Sequence, residues 1–276
     1  MKKFTRLVKV GSVAGAILMG NALFAGDSSV NPKSKADWNC GYSGDQDANV
    51  NDGKDANTLL IKAPYAFVTS KGTIKIEPEK SYKVSGSLKL APNSAPGKFY
   101  LGITPLDEKG QMLIPAQVCA VDGTETELTA DSNPDDMVIK IKNGDKWVAG
   151  NCFIAFNVDA SGKKADLPNA ELSSQGIKSI EKKGDMFEVS LNGKCGMKYA
   201  AGTKVREHIV KDLSQGICIA ASYADVPDDW KGFSAVFKKS DCWPLTDSVR
   251  VLVMMGGTNS PEQTTMVKDV KLEEVK

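Results

Sequence analysis

The chain has 276 residues, of which 35 are Lys or Arg and 34 are Asp or Glu, so its formal net charge is +1. The basic residues are spread along the chain and do not cluster, which argues against binding to nucleic acid. With a single His and no Cys-x-x-Cys pair, the sequence also argues against a zinc site of the usual ligand set.

The first 25 residues are predicted to be a signal peptide. Four basic residues and no acid precede an apolar run from Val10 to Phe24, and a cleavage point follows Ala25. The alternative is a permanent membrane anchor, but this run has only about 15 residues and is interrupted by glycines, whereas a span needs roughly 20. We therefore expect an exported chain with no membrane span, in the periplasm, at the cell surface or outside the cell. Removal of residues 1–25 takes away four basic residues, so the exported chain has 31 basic and 34 acidic residues and a net charge of −3.

Residues 26–36 form a polar leader that is predicted to be flexible. After it, Asp45, Asp47 and Asp52 lie in a stretch that carries carboxylate and amide oxygens at alternate positions, as calcium loops do. The stretch lacks Gly at the sixth position and an acid at the twelfth, so it is not an EF-hand. A solvated polar loop is the leading interpretation, and a structural Ca²⁺ is the alternative.

Short alternating or apolar runs follow, separated by Gly, Pro, Asn and Asp, and helical periodicity is almost absent. This pattern predicts an all-β sandwich or barrel. Ser81–Leu90 alternates strictly between apolar and polar residues, and we expect it to share a sheet with the C-terminal run Met266–Val275. Val249–Met255 is apolar on both faces apart from Arg250, which predicts a central strand that is covered on both sides.

The middle of the chain, residues 116–214, is predicted to be a separate unit, which we call the insert. On three motifs it resembles the small β modules that recur in exported and phage surface proteins: Trp147-x-x-Gly150, Ile177-x-x-Ile180 and Tyr199-x-Ala201-Gly202-Thr203-x-Val205. The resemblance implies an inserted small β-barrel-like domain. A tight turn at Asp166–Asn169 is expected to shape a cleft between the insert and the rest of the protein.

A second resemblance is carried by the runs Asp52–Ile61, Glu79–Gly86, Trp230–Phe237, Val249–Val253 and Val267–Leu272. In order, they resemble strands of the galactose-binding-like jelly roll of the carbohydrate-binding modules that are found beside xylanases and cellulases. The resemblance covers residues 37–115 and 215–276 and implies a jelly-roll β-sandwich that binds a polysaccharide or glycan. Such modules often hold a structural calcium between the N-terminal segment and the last strand, where Asp269 stands. The chain departs from them in the insert and in Lys268, which takes the place of a second acid.

Sugar recognition needs flat aromatic faces for the pyranose ring and polar groups around them for the hydroxyls. Trp243 lies in the turn sequence Asp241-Cys242-Trp243-Pro244, and we weigh a ligand platform against a lid on the core. Trp147 and Trp230 precede strands, so we interpret them as core residues. The other aromatic candidates for carbohydrate binding lie outside the obvious core strands: Trp38, Tyr42, Tyr65 and Tyr223.

Six cysteines lie in the exported part of the chain: Cys40, Cys119, Cys152, Cys195, Cys218 and Cys242. An oxidising compartment makes up to three disulfides plausible, and six cysteines allow about 15 pairings, which the sequence does not distinguish. The alternative is that some of them are buried thiols that pack as small apolar groups.

The sequence offers little for catalysis. His208 is the only imidazole base, and we expect it to be a structural residue where the insert ends. A nucleophile elbow, a zinc-protease motif and a phosphate-binding loop are all absent from the sequence. We therefore predict an exported, non-catalytic carbohydrate-binding protein. One alternative is a structural or adhesive surface protein whose sandwich serves protein–protein assembly. The other is a polysaccharide-degrading enzyme, since a glycosidase needs only two carboxylates at a set separation.

Overall fold

A computed structural model of the chain describes residues 29–41, 44–210, 217–256 and 261–275. The predicted signal peptide and Tyr42 therefore lie outside the described residues. In the described ranges the chain forms 18 strands, one short helix, α1 (Pro115–Val118), and 3-10 turns at Lys35–Asp37, Asp47–Asn49 and Lys239–Asp241. The strands are β1 (Ser29–Val30), β2 (Trp38–Cys40), β3 (Val50–Asp52), β4 (Thr58–Ala63), β5 (Tyr65–Ser70), β6 (Ile74–Lys75), β7 (Ser81–Leu90), β8 (Lys98–Leu106), β9 (Thr126–Glu127), β10 (Val138–Ile141), β11 (Cys152–Phe156), β12 (Ile177–Lys183), β13 (Met186–Leu191), β14 (Lys204–Ile209), β15 (Ile219–Asp225), β16 (Lys231–Lys238), β17 (Ser248–Gly256) and β18 (Gln263–Val275).

Two large antiparallel sheets form a jelly-roll sandwich. The first sheet has the order β16-β7-β18-β4-β3, with β1 beside β18, and the second has the order β15-β8-β17-β5-β2, with β6 beside β17. Eight of these strands, β4, β5, β7, β8 and β15 to β18, can be numbered one to eight along the chain. Their orders are then 6-3-8-1 and 5-4-7-2, the arrangement of a jelly roll. The predicted all-β jelly-roll fold is confirmed.

The core lies between the two large sheets and follows from the alternation of their strands. In β7, Tyr82, Val84 and Leu88 are buried, while the intervening Ser and Lys side chains face the other way. As predicted, β7 shares a sheet with β18, although a bulge at positive-φ Asp269 interrupts the register. The apolar strand β17 is central, as expected, and buried residues cover both of its faces.

The strands of the insert pair among themselves in two smaller antiparallel sheets, β10-β13-β12 and β11-β14-β9. Their side chains enclose a second core around Trp147 and Phe156. Because β15 pairs with β8, the chain returns to the sandwich beside the strand from which it left. The domain boundaries at residues 115 and 215 stay predictions. In the described part of the chain, the only helices are too short to cross a membrane.

Candidate functional site

The structure divides the tryptophans between core and surface. Trp38 is 5% exposed and packs between the two large sheets, so its ring has no face for a ligand and we remove it from the predicted site. Trp147 is buried in the insert, as predicted. Trp230 is half-buried, contrary to its predicted core role, and the ammonium of Lys268 lies 4.3 Å from its ring centroid. Trp243 is half-buried as well.

Tyr65 and Tyr223 lie on the outer face of the second large sheet. Tyr223 is directly opposite Tyr100, and Tyr100 is opposite Met254 on the next strand. The rings of Tyr100 and Tyr223 stack with centroids 4.0 Å apart and an interplanar angle of 15°. Tyr223 is 55% exposed, and the ammonium of Lys98 lies 5.3 Å from its ring centroid. We call Tyr65, Tyr100, Tyr223 and Met254 the tyrosine surface.

Trp243 lines a cleft of about 620 Å³ between the sandwich and the insert. The same side chain packs against a small cluster of Leu113, Val118 and Cys119, so it acts both as a lid on this cluster and as a wall of the cleft. We call this space the Trp243 cleft. It is lined by Asp107, Glu108, Lys109, Leu167, Pro168, Lys239, Ser240, Cys242, Trp243, Pro244, Leu245, Thr246 and Asp247.

The sandwich wall of the cleft is a tight turn over Trp243–Thr246. The backbone N–H and the hydroxyl of Thr246 both donate to the carbonyl of Trp243, at 3.3 and 2.6 Å. Leu245 has a φ of 65°, in the left-handed region that favours glycine, and its side chain is 49% exposed. Such a conformation costs a non-glycine residue about 1 kcal/mol. An exposed leucine adds little to the stability of the fold. Its presence in this strained conformation therefore indicates that the cleft uses its side chain.

Replacing Leu245 by Gly is expected to change the free energy of unfolding by no more than about 1 kcal/mol. Relief of the left-handed strain offsets the greater freedom of Gly in the unfolded chain. We expect the affinity for a ligand in the Trp243 cleft to fall nonetheless, because the cleft loses an apolar wall. Urea denaturation measures the stability, with Leu245→Asn as the matched control that also tolerates a positive φ. A loss above about 2 kcal/mol in both variants would show that the side chain is kept for packing.

The opposite wall is the Leu167–Pro168 step of the insert, as the sequence predicted. The Asp166 carboxylate holds this turn: it accepts the backbone N–H of Asp159 at 3.0 Å and the side-chain amide of Asn169 at 3.1 Å. The backbone N–H of Asn169 donates to the carbonyl of Gln117 at 2.9 Å. The wall is therefore fixed by polar contacts to its own loop and to α1.

A buried charge network lies behind this wall. The Arg206 side chain has no exposed surface, and its Nη2 donates to Asp166 Oδ2 at 2.8 Å. Arg206 Nε lies 3.2 Å from His208 Nε2, and His208 Nδ1 lies 2.6 Å from the carbonyl of Ala116. Because a carbonyl only accepts, the Nδ1–H must donate to Ala116, and the neutral Nε2 then accepts from Arg206. A second carboxylate, from Glu125, lies 4.0 Å from Arg206 Nη1.

The pKa values of this network favour one charge state. Burial, and then the neighbouring Arg206 guanidinium, lower the pKa of His208 to about 4, so the imidazole is neutral at pH 7. Burial raises the pKa of Asp166, but hydrogen bonds from Asn169, Asp159 and Arg206 outweigh it and hold the carboxyl below its usual range. At neutral pH the Arg206–Asp166 ion pair therefore has a neutral imidazole beside it.

Three carboxylates border the Trp243 cleft. Asp107 Oδ1 accepts the backbone N–H groups of Lys109 and Gln111 at 2.9 and 2.8 Å, and so shapes its own turn. Asp247 lies 3.3 Å from the ammonium of Lys75. The third is Glu108, which is exposed. These three carboxylates place hydrogen-bond acceptors along the same cleft as the apolar residues.

The four acids predicted to hold calcium do not gather into one site. The Lys35 ammonium lies 3.1 Å from Asp47 Oδ2, and the Lys35 backbone N–H donates to Asp52 Oδ1 at 2.6 Å, so both carboxylates are engaged by Lys35. Asp45 and Asp269 are exposed, and Asp269 stands at the bulge of β18. Within the described ranges, no three His, Cys, Asp or Glu side chains come together as metal ligands. Calcium binding by this chain stays a prediction.

No protein-family model matches the sequence, and no curated protein matches it significantly. Among solved structures, the chain is similar to the CBM22-1 xylan-binding domain of Xyn10C from Paenibacillus barcinonensis, with 8% identity, a TM-score of 0.29 and coverage of 91% of this chain and 97% of that chain. It is also similar to the enzymatically active domain of tailspike protein 4 of bacteriophage CBA120, with 8% identity, a TM-score of 0.30 and coverage of 90% of this chain but only 19% of that chain. Because both TM-scores are low, the jelly-roll assignment rests on the strand order.

Proposed function

We propose that this chain is an exported, non-catalytic protein that binds carbohydrate in the Trp243 cleft. The observation that carries the proposal is the position of Trp243, half-buried on the wall of a cavity of about 620 Å³. Trp38 and Trp147 are buried, and a lysine lies over the ring of Trp230. Trp243 is thus the tryptophan best placed to meet a ligand in a concave surface.

The chemistry of the cleft suits a sugar. An indole ring and the apolar Pro244, Leu245 and Pro168 offer the kind of surface on which the C–H face of a pyranose packs. Carboxylates, lysines and hydroxyls around them supply acceptors and donors for sugar hydroxyls. A cavity of a few hundred Å³ with a few polar groups in an apolar wall is typical of small-ligand sites. Asp107 and Asp247 are engaged in a turn and an ion pair, which favours binding over catalysis.

Trp243→Ala is expected to weaken binding about 10- to 100-fold, as truncation of a central aromatic contact does. The measurement is affinity electrophoresis of the whole exported chain through gels that contain one soluble polysaccharide each, with a glycan array to choose the panel. Trp230→Ala is the matched control, because it removes another half-buried indole, which directly precedes β16 and does not line the cleft. It is expected to retain binding.

The same panel separates the two aromatic surfaces. Loss of binding in Tyr223→Ala with retention in Trp243→Ala would move the site to the tyrosine surface and contradict the cleft. Retardation by no polysaccharide would overturn the carbohydrate proposal altogether. Parallel gels with EDTA test the calcium prediction. Loss of retardation in EDTA that added Ca²⁺ restores would support a structural calcium ion, and unchanged migration would contradict it.

The second candidate function is assembly with protein partners. One observation favours it: Met137 and Val138, at the edge strand β10 of the insert, are 53% and 42% exposed. An exposed apolar edge strand is a site at which sheets associate. The polysaccharide panel discriminates between the two, since assembly through β10 requires neither Trp243 nor a glycan.

A further inference from the structure

Two of the six cysteines differ from the rest in their surroundings. Cys218 and Cys242 are half-buried, and Cys242 lines the Trp243 cleft. Both side chains are therefore more accessible to a small reagent in solution than those of the other four cysteines. The other four are buried: Cys40, Cys119, Cys152 and Cys195.

Cys218 and Cys242 are not bonded to each other in the structure, but their thiols are in hydrogen-bond contact. Their backbones are held by separate segments: the N–H of Cys218 donates to the carbonyl of Ile103 at 3.0 Å, and the N–H of Cys242 donates to the carbonyl of Lys239 at 3.1 Å. Both side chains also pack against the sandwich core. Two sulfurs already in contact need little backbone movement to reach bonding geometry.

The surroundings of the pair also indicate which of the two sulfurs reacts first. The contact with the Cys242 thiol, and then the backbone N–H of Trp243, lower the pKa of Cys218 against the opposing effect of burial, while Cys242 Sγ also lies 3.7 Å from the carbonyl of Lys238. The contact between the two thiols, together with burial, raises the pKa of Cys242. Because the thiolate is the nucleophile in disulfide exchange, Cys218 is the residue that reacts first.

We propose that Cys218 and Cys242 form a disulfide that ties the start of β15 to the loop carrying Trp243. The Cys218 thiolate attacks a small-molecule disulfide such as oxidised glutathione and releases one thiolate. Cys242 then loses its proton to water, and its sulfur displaces the second thiolate from the mixed disulfide. The protein gives up two electrons and two protons in all, and the reagent is reduced to two thiols.

The bond also has a consequence for the Trp243 cleft. Cys242 precedes Trp243 directly, so the disulfide fixes the backbone from which the indole projects. Reduction is then expected to weaken glycan retention, an effect that rests on the proposed function. The disulfide itself does not depend on any ligand.

Peptide mapping of the wild-type chain tests the bond. The folded protein is equilibrated with oxidised and reduced glutathione, unfolded in the presence of an alkylating reagent, digested and analysed by mass spectrometry. We expect one cross-linked pair of peptides containing Cys218 and Cys242, lighter by two hydrogens than the reduced pair. Separate alkylation of the two residues, or a bridge from either one to another cysteine, would overturn the proposal.

Variants provide an independent readout. Oxidation is expected to raise the Tm of the wild type by on the order of 5–10 °C, because the bridge closes a loop of more than 20 residues. Cys218→Ser and Cys242→Ser should each lose this redox dependence, and Cys195→Ser should keep it. A redox-dependent Tm in Cys242→Ser would contradict the pairing. If the cross-link forms but no glycan binds, the proposed function fails and the disulfide stands; glycan binding without a cross-link gives the reverse result.

Discussion

Replacing Arg206 by Met is expected to lower the free energy of unfolding by about 3–5 kcal/mol. The substitution leaves the Asp166 carboxylate, whose side chain is 9% exposed, without its cation, and it leaves His208 Nε2 without a donor. Met fills much of the space of the Arg side chain, so the loss reports the charge more than a cavity. Urea denaturation followed by tryptophan fluorescence measures the effect.

A double-mutant cycle separates the ion pair from the rest of the network. Asp166→Asn removes the carboxylate, so the double variant with Arg206→Met no longer holds an unpaired buried charge. We expect the double variant to be more stable than Arg206→Met alone, with a coupling energy of about 1–3 kcal/mol. Arg206→Lys is the second control, because one ammonium has no planar fork with which to contact both Asp166 and His208. A loss below about 1 kcal/mol in Arg206→Met would show that the network contributes little.

The same substitution connects the network to the cleft. Asp166 is held by Arg206 on one side and is followed directly by Leu167 and Pro168, which line the Trp243 cleft. Loss of Arg206 is therefore expected to displace that wall as well as to destabilise the fold. The arrangement shows how the insert contributes to a surface that the jelly roll alone does not possess.

The jelly roll was predictable because its signal is local. A strand with one face in the core alternates between apolar and polar residues, and Ser81–Leu90 and the last strand both show this alternation. A central strand buried on both faces is largely apolar, as Val249–Met255 is apart from Arg250. These patterns identify which faces are buried, and pairing of distant strands then follows from the need to cover them.

The network around Arg206 was not predictable in the same way. Arg206, Glu207 and His208 follow one another in β14, and three polar residues in a row suggest an exposed strand end. Alternation puts Arg206 and His208 on one face, but their partners, Asp166 and the carbonyl of Ala116, lie 40 and 92 residues away in sequence. Only the tertiary structure brings these groups together.

The aromatic residues show a related limit. A Trp beside a strand is buried or exposed according to what packs on that side, which the strand pattern itself does not specify. Trp38 was predicted to face a ligand and lies in the core, whereas Trp230 was predicted to be a core residue and is half-buried. Trp243 was placed in a turn by its Pro neighbour, and turn residues lie at the surface where clefts form.

Acidification from pH 7 to pH 4.5 is expected to cost the wild type about 2–3 kcal/mol through His208 alone. The pKa of this His is about 4 in the folded protein and about 6.5 in the unfolded chain. Between these values the unfolded chain binds a proton that the native state does not, so stability falls as the pH falls. The physical cause is burial of the imidazole, which has no exposed surface, reinforced by the positive charges of Arg206 and Lys164; the hydrogen bond to Ala116 and the charge of Asp166 oppose it.

Other buried carboxyls act in different directions. Hydrogen bonds keep the pKa of Asp166 low. Its contribution to stability is therefore present above its unfolded pKa and is lost as the pH falls through its folded pKa. Burial raises the pKa of Glu207, so its contribution is present at low pH and is lost as the pH rises through its folded pKa, opposite to His208. The His208 effect must therefore be isolated by difference.

His208→Gln provides that difference. Its side-chain carbonyl can accept from Arg206 as Nε2 does, but it does not titrate. We expect the pH-dependent loss of stability between pH 7 and pH 4.5 to be smaller in this variant by about 2–3 kcal/mol, measured by urea denaturation at each pH. Because the chain has one His, its imidazole resonance in an untagged sample reports the folded pKa directly. A folded pKa between about 6 and 7 would contradict the buried, neutral state of His208 and, with it, the hydrogen bond from Arg206.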